Sequence, residues 1–258
     1  MLAELAIKPW EALLQNIEEG NKKIKWKDRS PYAFWKGNTW VSYKRHELTK
    51  CNVSYAHIYP LQWDKEIEQR FQNTKLEDQC SHRYKIYVEG IAWSVSEKYI
   101  LACDSMTLFI EPIFYDFFTR SLVPKHHYWP IASNQSMCND IKYAVDWGNA
   151  NPDKAEAIGK AGTRFIKENL KMNYAKLLKF KPSIPAEAAE ICAESMACFL
   201  RAHLRKRIMN ESIVTSPSHT PPCTMPPPYP PQTLTQFLRE KEKLIHQVKT
   251  RTINTILL

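Results

Sequence analysis

Hydrophobic and polar residues repeat along this chain with two different periods, which predict helices and strands in turn. In residues 9–23 the apolar side chains recur every three or four positions, and Pro9 suits a first helical turn. Residues 155–170 carry a second stripe of this kind, and residues 63–71 a weaker one. Four short runs have the apolar, aromatic and β-branched composition of strands: 32–37, 84–90, 105–110 and 128–131.

The order of these elements predicts the fold class. Ser94 and Glu97 have the spacing of a capping box, which predicts a helix over 95–103, and residues 115–122 are predicted to form another short helix. Strands that alternate with helices form a parallel sheet covered on both faces. We therefore expect an α/β fold.

The strand, glycine and capped helix between residues 84 and 103 make the first candidate site. In open α/β sheets, ligands bind beyond the carboxyl ends of the strands, where a helix N-terminus favours phosphate groups. Glu89, Gly90 and Ser94 would flank that crevice, with Lys98 one turn inside the helix. The alternative is an ordinary strand-to-helix connection that binds nothing.

A second candidate follows the strand at 32–37. Lys36, Gly37 and Asn38 end that strand, so that exposed backbone lies next to a cationic side chain, and Arg45 follows a few residues later. A guanidinium can bind a phosphate through two parallel hydrogen bonds. The alternative is a solvated turn.

Other polar clusters have simpler explanations. His126 and His127 precede a strand without a metal-ligand partner at the usual spacing, which favours a loop role. Asp116 and Glu111 could form an acid–base pair, but Asp116 could equally cap the helix at 117–122.

Composition narrows the classes of function. The net charge of +9 over 258 residues attracts phosphates or simply keeps the surface soluble. RNA-binding and zinc-knuckle motifs are absent, so nucleic acid is not the expected partner. No apolar run is long enough to span a bilayer, and none of the seven cysteines has metal-ligand spacing. Three glycosylation sequons, at Asn52, Asn134 and Asn210, favour the secretory pathway, although the first residues of this sequence do not predict a signal peptide.

The composition changes along the chain in a way that predicts three segments. Residues 1–180 hold the folded α/β domain, and residues 181–232 form a segment rich in cysteine and proline. Residues 233–258 alternate basic and acidic side chains and predict a peripheral helix.

Long collinear segments of the chain resemble the plant Rumi-like O-glucosyltransferases of the capsule-associated family. The principal ones are His82–Ser105, Tyr115–Leu122 and His126–Ile131. Shorter segments match in the same order: Tyr32–Asn38, Arg45–Asn52, Ala144–Gly148 and Cys223–Pro228.

This resemblance implies the Rossmann-like, C-terminal donor-binding half of a two-domain GT-B glycosyltransferase. It implies a UDP-sugar donor, UDP-glucose or UDP-xylose, an inverting transfer to a protein or glycan hydroxyl, no metal, and the ER or Golgi lumen. The residues that it places at or beside the donor are Lys36, Gly37, Asn38, Arg45, Glu89, Gly90, Ser94 and Lys98.

The same resemblance leaves the catalytic residue unidentified. The aspartate regarded as the family's base belongs to the N-terminal domain, upstream of the matched region, so the chain is expected to be a partial enzyme. The alternative is a non-catalytic relic that binds a nucleotide sugar or a partner protein. A secretory family also implies disulfides, for which we expect Cys51 with Cys80, and Cys192 or Cys198 with Cys223.

Overall fold

The computed structural model describes residues 10–51, 53–68, 75–170 and 230–256. The strands in this part of the chain are β1 (Ser30–Gly37), β2 (Ala56–Pro60), β3 (His82–Tyr87), β4 (Met106–Ile110) and β5 (Trp129–Ile131). The α-helices are α1 (Trp10–Lys23), α2 (Tyr43–Leu48), α3 (Trp63–Glu68), α4 (Ser96–Leu101), α5 (Met137–Ala150), α6 (Pro152–Asn169) and α7 (Pro231–Ile256).

The five strands form one parallel sheet in the order β2-β1-β3-β4-β5. The chain runs from β1 to β2 on one side, then crosses to place β3 on the other side of β1. The direction of winding therefore reverses between β1 and β3. This confirms the predicted α/β class, and it gives the sheet a topological switch point, which is where open α/β sheets bind ligands.

Each face of the sheet carries its own hydrophobic core. On one face, the residues of α2 and α5 pack on alternate side chains of the strands, among them Leu48, Ile141, Ala144, Ile86 and Leu108. On the other face, α1 and α4 pack on the intervening side chains, among them Leu13, Ile17, Leu101, Tyr87 and Phe109. The two helices that follow β1 and β3 thus lie on opposite faces, and a crevice opens between their connections.

Most predicted elements are present, with ends that differ by a few residues. The helix expected over 9–23 is α1, and that over 155–170 is α6, which begins with Pro152 in its first turn. The helix predicted over 115–122 is wrong. Only Thr119–Ser121 forms a short 3-10 turn, because the Asp116 carboxylate accepts from the Phe117 amide and the Thr119 hydroxyl donates to Glu97.

The predicted capping box at Ser94 and Glu97 is also wrong. Helix α4 is preceded by Val95, and no side chain caps it. The Ser94 hydroxyl instead contacts Arg45 and Ser96. Glu97 is completely buried, and burial raises the pKa of its carboxyl to about 7.

The disulfide expected between Cys51 and Cys80 is wrong. Cys51 pairs with Cys138 and Cys80 pairs with Cys103. Cys51 and Cys138 belong to one core, whereas Cys80 and Cys103 belong to the core on the other face. Cys51 and Cys80, which were predicted to form a disulfide, therefore lie on opposite faces of the sheet. The pairing of Cys192 or Cys198 with Cys223 lies outside the described residues.

The C-terminal helix begins two residues before the predicted one. Helix α7 is mostly exposed, but Val248 is buried in the core beside β5 and α5, and Lys249 forms an ion pair with Glu111 at 3.0 Å. The boundaries at 180 and 232 fall in or next to the stretch 171–229, which lies outside the described residues, and stay predictions. Among the helices described, none has a stretch long and apolar enough to cross a bilayer.

Candidate functional site

A cleft of about 290 Å³ opens at the switch point of the sheet. Its floor comes from β1 and β3, and its rim from the connections that follow them. The residues at the rim include Lys36, Gly37, Asn38, Arg45, Ser94 and Ser96. Both predicted candidate segments therefore meet at this one place, because parallel strands end at the same edge of a sheet.

Arg45, on helix α2, forms hydrogen bonds to several groups at the rim of the cleft. Its guanidinium donates to the carbonyl oxygens of Asn38, Glu89 and Val88 at 2.9–3.2 Å and to the Ser94 hydroxyl at 3.2 Å. It also lies over the Trp35 ring at 5.6 Å. These bonds connect the loops after β1 and β3.

The charge of Arg45 is not compensated by a carboxylate. Only 9% of the residue is exposed, and burial lowers the pKa of the guanidinium from its ordinary value. None of the ion pairs found among the described residues involves it, and all its hydrogen-bond acceptors are neutral. An uncompensated cation at the edge of a cleft favours an anionic ligand, because a buried charge is costly unless it is paired.

The inner part of the cleft is mostly apolar. Phe34, Leu76, Tyr99 and Ile100 line it, together with the amine of Lys85. Lys85 lies opposite Phe34 in the register of β1 and β3, and only 3% of it is exposed. Burial lowers the pKa of the amine to about 7, and the nearby Arg29 acts in the same direction. This part of the cleft suits a flat, weakly polar group.

The described lining of the cleft consists of basic and neutral side chains, without a carboxylate or an imidazole. Of the described residues that line it, none is Asp, Glu or His. Three-residue clusters of metal-ligating side chains are likewise absent from the described residues. The basic side chains and hydroxyls of the cleft can bind and orient an anion.

The family model for glycosyl transferase family 90 matches residues 1–252, nearly the whole chain. The chain belongs to glycosyl transferase family 90. Among curated relatives, O-glucosyltransferase rumi of Drosophila melanogaster is 24% identical over 187 residues, which are 66% of this chain and 44% of the relative. Protein O-glucosyltransferase 1 of Bos taurus is 22% identical over 173 residues, 64% of this chain and 43% of the relative. The chain thus spans less than half the length of the relatives it matches.

Five of the eight residues that the sequence predicted for the donor line the cleft of this family 90 domain. They are Lys36, Gly37, Asn38, Arg45 and Ser94. Lys36 is paired with Glu66 at 2.8 Å, which holds its amine at the side of the rim. Their contact with a donor stays a prediction.

The other three predicted residues do not line the cleft. Glu89 is buried, its carboxylate accepts from Lys44 at 2.6 Å, and it also accepts from the amides of Ile113 and Phe114. Gly90 packs beside the Arg45 guanidinium. The Lys98 amine lies over the Trp10 ring at 4.9 Å, on the α1 side of the domain. Glu89 therefore anchors the loop after β4, and its contact with a donor stays a prediction.

Several lining residues were missed from the sequence. Phe34 and Lys85 face the cleft because of the register between two strands that are about 50 residues apart, and one chain does not reveal that register. Ser96 could have been found, since it follows Ser94 by two positions and the two hydroxyls lie 2.9 Å apart. Gln79 comes from a 3-10 turn that has no helical or strand periodicity.

Proposed function

We propose that this chain is the donor-binding part of an O-glucosyltransferase that uses a UDP-sugar. The observation that carries the proposal is the uncompensated guanidinium of Arg45 in a cleft at the switch point of a family 90 domain. The diphosphate would lie at the rim, beside Arg45 and the hydroxyls of Ser94 and Ser96. The apolar inner part would take the uracil ring or the sugar.

The proposed reaction is an inverting transfer of the sugar to a hydroxyl of a protein or glycan. The acceptor oxygen forms a bond to the anomeric carbon while the bond from that carbon to the diphosphate oxygen breaks. Negative charge develops on the departing UDP, and the donors at the rim stabilise it. The acceptor proton goes to a carboxylate base on the facing domain of a GT-B enzyme. Glucose and xylose are the candidate sugars, no metal is required, and the ER or Golgi lumen is the proposed compartment, which the two disulfides favour.

A second candidate is a nucleotide-sugar-binding module that does not catalyse transfer. The absence of Asp, Glu and His from the described lining of the cleft favours it for this chain when it acts alone. Both candidate functions require binding of a nucleotide sugar, but only the first includes transfer of the sugar.

Calorimetric titration of the chain with UDP and with uridine tests the proposal. A charge-assisted hydrogen bond contributes about 1.5–3 kcal/mol, so Arg45→Gln should weaken UDP binding by roughly 10- to 100-fold. Uridine, which lacks the phosphates, should bind the variant and the parent alike. The exposed Arg120→Gln is the matched control and should leave both affinities unchanged. Equal affinity of UDP and uridine for the parent chain would refute a diphosphate at Arg45.

Because Arg45 also joins the two loops, Ser94→Ala is a milder second variant. It removes one hydroxyl and keeps the guanidinium bonds to the three carbonyl oxygens. We expect a loss of UDP affinity of about threefold to tenfold, as for one hydrogen bond. An assay of UDP release from UDP-glucose with hydroxyl acceptors then separates the two candidates. Release above the rate of water hydrolysis supports transfer, and binding without release supports the non-catalytic module.

A further inference from the structure

A second cleft, of about 680 Å³, lies at the opposite edge of the sheet. It opens beside Trp129, the first residue of β5, so it belongs to the amino edge, away from the candidate donor cleft. The turn before β5 and the outer face of α6 form its walls. We name it the basic cleft after four of its lining residues: Lys125, Lys154, Lys160 and Arg164.

The cations of the basic cleft are nearly uncompensated. Lys160 forms an ion pair with Glu156 at 2.6 Å. Among the described residues, Lys125, Lys154 and Arg164 have no carboxylate oxygen within 4 Å. Lys160 and Arg164 are four positions apart on one helix, a spacing at which like charges repel and destabilise. An anion bound between the two side chains would offset this repulsion.

The wall between the cations is aromatic. The rings of Trp129 and Trp147 stack with their centroids 4.3 Å apart. Trp129 is 3% exposed, and its Nε1 has no hydrogen-bond partner in the part of the chain that the structure describes. A cleft with charges of one sign and walls of low polarity concentrates the electric field, and so raises the local concentration of an oppositely charged ligand.

Lys125 adds a backbone observation. Its φ of 61° lies in the left-handed region, which costs energy for a residue with a Cβ and which glycine adopts freely. Its amide donates to the Tyr128 carbonyl at 2.7 Å, which closes the turn. A lysine therefore occupies a backbone position that glycine would adopt without strain, and this lysine lines the basic cleft.

We propose that the basic cleft binds a small ligand that carries several phosphate or sulfate groups, such as a phosphorylated or sulfated saccharide. A concave site of several hundred Å³ is the usual size for a small molecule, whereas a membrane or a duplex needs an extended surface. The two clefts lie at opposite edges of the sheet, so this binding is independent of the proposed donor site.

The test is calorimetric titration of the full chain with two probes, inositol hexakisphosphate and a heparin-derived tetrasaccharide. The variant Lys154→Gln/Lys160→Gln/Arg164→Gln should lose at least tenfold in affinity for both probes, or for whichever of the two the chain binds. The matched control Lys50→Gln/Lys65→Gln/Lys142→Gln has the same net charge and should stay within twofold of the parent. The two probes distinguish a phosphate source from a sulfate source. UDP binding should be the same in all three proteins, which also reports that each is folded.

A second variant separates ligand binding from stability. Lys125→Gly removes one amine and relieves the left-handed backbone, so we expect stability equal to or above the parent and affinity for the probes reduced about threefold or more. Equal losses in the triple variant and its control would show that binding follows net charge and would overturn the proposal. So would no binding of either probe, or tighter binding of a single-stranded oligonucleotide that depends on these same residues.

Discussion

At the scale of single residues, three basic side chains line the cleft proposed for the donor, and each is held differently. Lys36 is paired with Glu66 at 2.8 Å. Arg45 is bonded to three carbonyl oxygens and a hydroxyl. Lys85 is the least satisfied, because among the described residues its amine contacts the Cys103 sulfur at 3.5 Å and the Phe34 ring and no oxygen acceptor. A ligand that brings negative charge or a polar acceptor into the cleft therefore gains most at Arg45 and Lys85.

Replacement of Lys85 by Met should stabilise the protein, and the gain should depend on pH. The pKa of the amine is 10.5 in the unfolded chain and about 7 in the folded one. Between these values the unfolded chain binds the proton and the folded chain does not, so stability rises with pH across the window. Lys85→Met removes this penalty, which is on the order of 5 kcal/mol below pH 7. The gain should shrink as pH rises and be lost near pH 10.5.

Urea unfolding of Lys85→Met and the parent at pH 6, 8 and 10 measures this gain. The exposed Lys75→Met is the control and should change stability little at any of these pH values. A constant difference between Lys85→Met and the parent at all three would contradict a buried neutral amine. Reduced UDP affinity in the stabilised variant would show that the amine is retained for the ligand, as in other stability–activity trade-offs.

The residues of the cleft that the sequence predicted are those next to strand ends. A glycine after an apolar strand and a nearby cation are local signals, and Gly37 and Arg45 follow from them. Glu89 follows from the same reasoning but serves the loop at 113–114, because its partner amides are some 25 positions away. The polar residues at strand ends could therefore be predicted from the sequence. The direction in which each side chain points could not, because it depends on partners that are distant in the sequence.

At the scale of elements, helix α6 reaches the sheet through small residues. Gly159 is buried against the turn before β4, and Gly162 is buried against the His127 carbonyl and Leu101. The Thr163 hydroxyl donates to the Leu101 carbonyl and accepts from the Asp104 amide. A Cβ at Gly159 would collide with the backbone of Asp104 and Ser105. The close approach of helix and turn therefore depends on this glycine.

Gly159→Ala should destabilise the protein although alanine is the better helix former. The intrinsic preference of a helix for Ala over Gly contributes about 1 kcal/mol in favour of the variant. The collision forces the helix or the turn to move, and overpacking of this kind costs about 1–3 kcal/mol or more. We expect a net loss of about 1–2 kcal/mol, measured by urea unfolding.

The opposite substitution on the exposed face of the same helix is the control. Ala157→Gly should lose about 1 kcal/mol from helix propensity alone. A more stable Gly159→Ala variant would show that the helix can move away from the turn at Asp104 without cost.

Sequence patterns predicted helices α1 and α6 and four of the five described strands, but they missed other elements. Helices α1 and α6 have continuous apolar stripes, which one chain reveals. Strand β2 and helix α5 were not predicted, although β2 forms one edge of the sheet and α5 contributes Met137, Ile141, Ala144 and Val145 to one core. The segment 115–122 has helical composition, yet Phe117 is 81% exposed and side-chain bonds at Asp116 and Thr119 fold it into a turn. The secondary structure of such segments is determined by tertiary contacts.

At the scale of the whole molecule, the parallel sheet divides the interior into two cores with one disulfide each. Alternating strands and helices predicted this architecture, but the strand order could not be predicted from one chain. Without the strand order, the faces on which Cys51 and Cys80 lie are unknown, so the sequence did not exclude a disulfide between them. The pairs Cys51–Cys138 and Cys80–Cys103 follow only once the sheet is assembled.

The last prediction concerns these two disulfides. Cys51–Cys138 spans 87 residues and Cys80–Cys103 spans 23. A cross-link restricts the unfolded chain, more so for a longer loop, and the two loops correspond to a loss of about 3–5 kcal/mol each when the bond is removed. The same relation makes the longer loop more stabilising by about 1 kcal/mol. Urea unfolding of Cys51→Ala/Cys138→Ala and Cys80→Ala/Cys103→Ala should therefore show losses in that order. Reductant should destabilise each variant further, since the other bond remains. Peptide mapping of the oxidised parent without reduction gives an independent check, and a peptide that joins Cys51 to Cys80 would contradict the division of the cysteines between the two faces.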